Sequence, residues 1–240
     1  MAIYLTELES DSFAFPSPYG ALEDPNGLLA FGGDLNPKRI LIGYQNGIFP
    51  WYGPGEPILW WSPSPRAIFT PKTFAPAKSL RKFQRKHQYS VSINRATEQV
   101  IDYCASLRPS EETWLNEDMR NAYKALAKLG KCHSVEVWQE NQLVGGLYGI
   151  SVGRLFCGES MFSTATNASK IALWHFCAHF SRHGGELIDC QVLNPHTESL
   201  GATELERDDF MQSLLSLREK SLEEHCFVPQ WLDHPEHCLK

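Results

Sequence analysis

A chain of 240 residues with 42% hydrophobic and 12% aromatic content has the material for one large hydrophobic core or two small ones, and no repeat or low-complexity tract argues against a folded chain. No uninterrupted apolar run approaches a membrane span, and Met1 to Asp11 hold Glu7 and Glu9 but no basic residue, so the charged and apolar regions of a signal peptide are missing. Seven cysteines, of which Cys157, Cys177 and Cys190 lie in apolar segments, fit reduced thiols, and a soluble cytoplasmic protein is expected.

The first 65 residues are crowded with turn formers and aromatics, as in Phe15-Pro16-Ser17-Pro18, Asp24-Pro25-Asn26-Gly27 and Phe49-Pro50-Trp51-Tyr52-Gly53-Pro54-Gly55. Regular structure there should be short. One helix is predicted, with Asn36 as N-cap and Pro37 at its first position, running toward Gly47. The stiff segment Trp60-Trp61-Ser62-Pro63-Ser64-Pro65-Arg66 marks the passage from a domain at 1–65 to a second at 66–240.

Around that passage the charge changes character. Pro57 to Thr97 holds eight Lys or Arg and no Asp or Glu, although the formal net charge is −6; outside the window 14 basic residues face 28 acidic ones. Lys78, Arg81, Lys82, Arg85 and Lys86 follow i, i+3, i+4, i+7, i+8, which puts all five on one helix face. Such a stripe can track a phosphate backbone; it can equally be a solvated surface.

From residue 66 the pattern becomes regular. Helical periodicity fits 78–86, 95–107 and 116–129, the last capped by Asn116 and closed by Gly130. An antiparallel meander follows: Ser134–Trp138, a turn at Glu140-Asn141, Leu143–Val152 with a bulge invited by Gly145 and Gly146, a turn at Gly153-Arg154, and Leu155–Ser163. An apolar helix from Ala168 to Phe180, capped by Asn167 and stopped by Gly184-Gly185, leads into a strand at Leu187–Leu193, which implies a parallel neighbour or a splayed sheet. A last helix spans roughly Asp208–Lys220. The expectation is an α+β fold with a mixed, mainly antiparallel sheet, and the element order resembles acetyltransferase-like (GNAT) domains. Those domains usually hold coenzyme A phosphates on a glycine-rich loop before the long helix. Here that turn, Ser163 to Lys170, contains no glycine, so a coenzyme A site is disfavoured and no cofactor is expected.

Three polar side chains interrupt apolar strand patterns. Glu159 shares the i, i+2 face of Leu155, Cys157 and Met161, and Asp189 and Gln191 share a face with two leucines. Unpaired polar groups are costly to bury, so these are site candidates unless they are satisfied structural polars or line a solvent face. Cys226, His234, His237 and Cys238 crowd the C-terminus at a spacing that matches no familiar zinc pattern, and no metal is expected. The chain has no G-x-S-x-G elbow, Walker-type loop or H-E-x-x-H. Trp51, Trp60, Trp61 and Trp114 lie in turns or helix entries, where an indole can stack on a nucleobase or serve a core.

Gly47-Ile48-Phe49-Pro50-Trp51-Tyr52, Trp60 to Arg66, Phe156 to Ser163 with Asn167-Ala168-Ser169-Lys170, and Ile188 to Asn194 with His196 and Ser199-Leu200-Gly201-Ala202 closely resemble the leucyl/phenylalanyl-tRNA–protein transferases. The likeness runs from the Phe15-Pro16 region nearly to the C-terminus and departs mainly in the tail after Gln230. The resemblance implies a two-domain enzyme with a GNAT-like catalytic half. Its reaction moves Leu, Phe or less readily Met from aminoacyl-tRNA to the N-terminal amine of a protein beginning with Arg or Lys, marking it for degradation. It implies apolar walls for the amino-acid side chain, for which Leu147, Phe156, Phe176, Phe180 and Ile188 are the candidates, with Trp51 and Trp114 on the terminal adenosine and the basic stripe on tRNA phosphates. Asp189 and Gln191 would hold the incoming amine and help it lose its proton, with Glu159 beside the adenosine; a tRNA ribose hydroxyl could shuttle the proton instead. A monomer without membrane contact is expected. A coenzyme A-dependent N-acyltransferase and a non-catalytic RNA-binding protein are the alternatives.

Overall fold

The computed structural model describes residues 4–107 and 114–238; the side chains of His237 and Cys238 lie outside what is described. The turn-rich N-terminal stretch forms four short strands, β1 (Thr6–Leu8), β2 (Leu28–Gly32), β3 (Phe49–Pro50) and β4 (Leu59–Trp61), in the order β1-β2-β4-β3. Helix α1 (Pro37–Gln45) lies between β2 and β3, and its Asn36 side chain accepts from the Lys38 N–H as expected of an N-cap. The chain leaves α1 through Gly47, whose φ of +73° needs a glycine and whose α-carbon lies so close to Met211 and Phe210 that a Cβ would crowd both.

The second sheet has eight strands. In chain order these are β5 (Arg66–Phe69), β6 (Ser90–Ile93), β7 (Cys132–Gln139), β8 (Gln142–Val152), β9 (Leu155–Ser163), β10 (Leu187–Gln191), β11 (Thr203–Leu205) and β12 (Gln230–Trp231). Their spatial order is β11-β5-β10-β9-β8-β7-β6-β12, and all neighbours are antiparallel except β9 and β10. The protein is therefore a mixed α/β fold with mixed sheets. The parallel β9–β10 pair is the one that the strand–helix–strand passage implied, joined through α5 (Ala168–Arg182).

Helices cover both faces of this sheet, as the apolar residues of β8 require by pointing both ways. On one side α3 (Thr97–Ser106) and α4 (Glu117–Lys128) pack with α1 and α7 (Arg207–Leu217) around Tyr148, Ile150 and Val152. On the other side α5 packs with α2 (Lys78–His87) around Val135, Leu147 and Phe156. The first core also takes in Leu29, Ile40, Tyr44 and Trp60, so the N-terminal sheet is buried against the larger one.

Several expectations need correction. Asn167 is left-handed at φ 64° and its side chain makes no cap bond. The expected bulge beside Gly145 is at Val144, where Val137 faces Gly145 and Trp138 faces Leu143. Strand β10 stops at Gln191 rather than Leu193, because Gln191 has a φ of 66°. The short strands β5, β6, β11 and β12, and helix α6 (Pro195–Ser199), are too brief for periodicity to reveal. Among the described residues, no helix is long and apolar enough to cross a membrane.

Candidate active site

Strands β9 and β10 pair from Leu155–Leu187 through Cys157–Asp189 and no further. Each then bulges. Against β8, Glu159 is the extra residue between the Gly149–Gly158 and Tyr148–Ser160 pairs; against β5, Cys190 is the extra residue between Asp189–Ile68 and Gln191–Ala67. At the carboxyl ends of these two parallel strands opens a cavity of about 860 Å³. Openings of this kind are where sheets of parallel strands commonly bind ligands.

In the wall of that cavity the backbone ladder is replaced by side chains. Gln191 Nε2 donates to Glu159 Oε1 at 2.8 Å, and the Tyr123 hydroxyl donates to Glu159 Oε2 at 2.8 Å. Tyr44 and Tyr123 hydroxyls lie 2.8 Å apart, so a hydrogen-bonded chain runs from α1 through α4 to the two bulges. In its ionised form Glu159 only accepts, which places Gln191 with Nε2 toward it and leaves Oε1 for another donor. Burial pushes the Glu159 carboxyl up to about 7, against the opposing hydrogen bonds from Tyr44, Tyr123 and Gln191.

Asp189 is placed otherwise than expected. It does not line the cavity; it is buried on the core side, where Oδ1 accepts from Arg66 Nε at 3.0 Å and from the Gln191 backbone N–H at 2.8 Å. Arg66 is buried too. It lies over the rings of Phe49 and Phe210 and donates from Nη2 to the Gly47 carbonyl at 2.7 Å. The left-handed turn at Gln191 thus separates two residues that alternation had put on one face, and Asp189 clamps that turn. The bulge likewise moves Met161 away from the side of Leu155 and Cys157 to that of Leu147.

Of the expected wall residues, Leu147, Phe156, Phe176 and Ile188 line the cavity, and Trp51 and Trp114 do as well. Phe180 does not. It is fully buried one turn beyond Phe176, with its ring 5.1 Å from that of Phe176, and supports the wall from behind. Trp51 and Trp61 meet edge to face at 5.4 Å, and Trp61 Nε1 donates to the Trp51 carbonyl at 2.6 Å. Trp60 is a core residue whose indole donates to the Gly32 carbonyl, not a stacking surface. Sequence reasoning missed Tyr44, Tyr123 and Arg66 in this region. The first two lie on predicted helices, but nothing in a single sequence pairs residues 79 positions apart.

The basic stripe forms α2, which buries Leu80 and Gln84 and exposes Lys78, Lys82, Arg85 and Lys86 on the opposite side. Arg81 is at the margin, half-buried, and Arg85 lies 3.4 Å from Glu236. Among the described residues no metal-capable cluster is found in the cavity; the group His179, His183 and Cys226 is at the far end of α5.

An apolar cavity with a hydrogen-bonding pair in its lining suits the holding of an apolar group beside a transfer reaction, and comparison with known proteins gives that chemistry its class. Residues 68–215 match the family described as leucyl/phenylalanyl-tRNA protein transferase, and residues 33–64 match its N-terminal domain. The leucyl/phenylalanyl-tRNA–protein transferase of Vibrio cholerae is 70% identical over 235 residues, covering 98% of this chain and 97% of its own. That of Vibrio parahaemolyticus is 70% identical over 98% of this chain and 100% of its own, and that of Photobacterium profundum 60% identical over 98% and 99%. A conserved protein of unknown function from Bacteroides thetaiotaomicron has a TM-score of 0.41 at 12% identity, covering 70% of this chain and 58% of its own, and L-PGS from Bacillus licheniformis has a TM-score of 0.34 at 13% identity, covering 81% and 63%. The protein is an aminoacyltransferase. Within that class, the chain belongs to the leucyl/phenylalanyl-tRNA–protein transferase family.

Proposed function

We propose that this protein moves Leu or Phe, and less readily Met, from aminoacyl-tRNA to the N-terminal amine of proteins beginning with Arg or Lys, acting as a cytoplasmic monomer that marks them for degradation. The observation that carries the reading is the apolar cavity whose lining includes the hydrogen-bonded Glu159–Gln191 pair. In the reaction the amine nitrogen bonds to the ester carbonyl carbon, the bond to the ribose oxygen breaks, and the proton lost by the amine ends on that oxygen. Gln191 Oε1 accepts an N–H of the incoming amine and orients it. An α-amine with a pKa near 8 passes its proton readily to a carboxylate held near 7, which makes Glu159 a suitable relay. Asp189 then becomes a positioning residue that fixes the turn presenting Gln191, a change from the catalytic role its sequence position suggested.

Leu147, Phe156, Phe176 and Ile188 receive the side chain of the donor amino acid, where a charged side chain would be buried without a partner. Trp51 and Trp114 hold the terminal adenosine, and Lys78, Arg81, Lys82, Arg85 and Lys86 contact phosphates farther along the tRNA. The same reading divides the chain into an N-terminal unit at 1–65 and a GNAT-like unit at 66–240. The loss of β9–β10 pairing and the parallel arrangement of those strands support it. Transfer of labelled Phe from tRNA to an Arg-starting peptide tests the proposal. Equal transfer from Asp- or Lys-charged tRNA, or no transfer at all, would overturn it.

A further inference from the structure

We propose that His179, His183 and Cys226 form a binding site for a divalent transition-metal ion of the zinc type. The three side chains come from two segments brought together by the fold: the C-terminal end of α5 and the turn that crosses it near residue 226. One donor atom from each lies within 4.8 Å of the others. A tetrahedral zinc with Zn–N near 2.0 Å and Zn–S near 2.3 Å needs donor separations of about 3.3–3.7 Å, so closure asks for a contraction of roughly 1 Å.

The imidazoles are already prepared. His179 Nε2 donates to the Cys226 carbonyl at 2.7 Å, and His183 Nδ1 donates to the His179 carbonyl at 2.8 Å. One N–H of each ring is thereby committed to a backbone oxygen, so a metal would have to take His179 Nδ1 and His183 Nε2, each with its second nitrogen hydrogen-bonded as in metal-ligating histidines. His179 and Cys226 are buried while His183 is half-buried, which gives an ion an approach and leaves room for water as a fourth ligand. Binding requires Cys226 to lose its thiol proton to solvent, and the resulting thiolate with two neutral imidazoles selects borderline-soft metals over Mg²⁺ or Ca²⁺. Burial, and then the nearby Glu223 charge, push the Cys226 thiol up to about 12, a cost that metal binding must offset; the Glu223 charge favours a cation there, and that of Arg182 near His179 opposes it.

The ion would staple the 222–229 segment to α5, continuing a contact that the Glu223 N–H already makes with the His183 carbonyl at 3.1 Å. None of the three side chains lines the cavity, and seven residues along α5, or about 10 Å, separate His183 from Phe176, the nearest wall residue on that helix. The staple is therefore structural, and aminoacyl transfer without added metal should be the same in His183→Asn as in the wild type.

The test is titration of the whole protein with Co²⁺, read by the near-ultraviolet thiolate-to-cobalt band and the visible bands of a tetrahedral ion, with Zn²⁺ as competitor. One equivalent is expected to bind with both features. His183→Asn, which can keep the bond to the His179 carbonyl and so should fold, is expected to weaken binding by at least about tenfold, and Cys226→Ser to abolish the thiolate band. Zinc should raise the melting temperature of the wild type and not that of Cys226→Ser. Absence of the thiolate band, or unchanged affinity in His183→Asn, would overturn the proposal; the second result would place the ion on other histidines or cysteines.

Discussion

Replacing Glu159 by Gln should make the protein more stable at alkaline pH while it impairs transfer. The carboxyl has an ordinary value of 4.5 and is raised to about 7 in the fold, so the folded state prefers its neutral form. The penalty is absent below pH 4.5, grows as pH rises toward 7, and is complete above it, because the unfolded chain ionises first. The rise from 4.5 to about 7 corresponds to about 3 kcal/mol at pH 8 and about 1 kcal/mol at pH 5; partial access from the cavity makes these upper values. A Gln side chain keeps both partners, accepting from Gln191 Nε2 and donating to the Tyr123 oxygen while that hydroxyl turns to Tyr44. Urea unfolding between pH 5 and 8 should then give Glu159→Gln an advantage of 2–3 kcal/mol at pH 8 that shrinks by roughly two-thirds at pH 5. An advantage independent of pH, or a variant less stable at pH 8, would refute the reasoning, since either result means that Glu159 is ionised in the fold at no cost.

Gln191→Ala should lower turnover by about 10²–10³ with little change in melting temperature, because it removes an acceptor for the amine and leaves the turn in place; steady-state kinetics with an Arg-starting peptide and circular dichroism check both halves. Asp189→Asn should instead lose stability, by about 3–5 kcal/mol in urea unfolding, because it leaves Arg66 buried without a countercharge. Phe176→Ala should shift the preference between Leu and Phe donors, whereas Phe180→Ala, one layer back, should cost about 3–5 kcal/mol of stability with the preference kept. Neutralising three of the α2 basic residues should flatten the salt dependence of tRNA binding by up to roughly one log–log unit per lost contact yet spare reaction with an aminoacyl-adenosine donor, and Trp51→Ala should harm both donors.

The regular half of the molecule was legible because its elements are long. Strands β8 and β9 and helices α2, α4 and α5 start within two residues of where caps, glycines and periodicity put them, and Asn36 and Asn116 cap as expected. The cavity wall was legible for the same reason, since the apolar residues of β8, β9 and α5 converge wherever those elements pack. Phe180 escaped because, on a helix that is apolar nearly all round, spacing does not tell the cavity-facing turn from the one behind it. Asp189 escaped because its partner, Arg66, lies 123 residues away and looked like part of the basic window. Of the proposed metal ligands, Cys226 stands among the C-terminal candidates, whereas His179 and His183, spaced by four at the end of α5, come from a segment more than 40 residues earlier that spacing within the tail does not reach.

The placement of Glu159 and Gln191 shows why alternation finds a candidate without locating it. Both residues follow the last pair that β9 and β10 share, and both depend on a bulge, which breaks the period of two on which the sequence argument rests. The bulge in β9 has a cause on the facing strand. A Cβ at Gly149 would come within 2.1 Å of the Cys157 carbonyl and 2.6 Å of the Phe156 ring, so only a bare α-carbon lets β9 close over β8 where its register slips. On β10 the cause is Asp189, whose carboxylate takes the Gln191 N–H that a continued ladder would use, while Arg66 holds the carboxylate in place. The cavity therefore exists because two neighbouring parallel strands stop pairing at the same level, one shaped by a glycine opposite it and the other by a buried ion pair. The carboxylate and amide that bridge the gap are the polar groups best placed to act on a substrate that fills it.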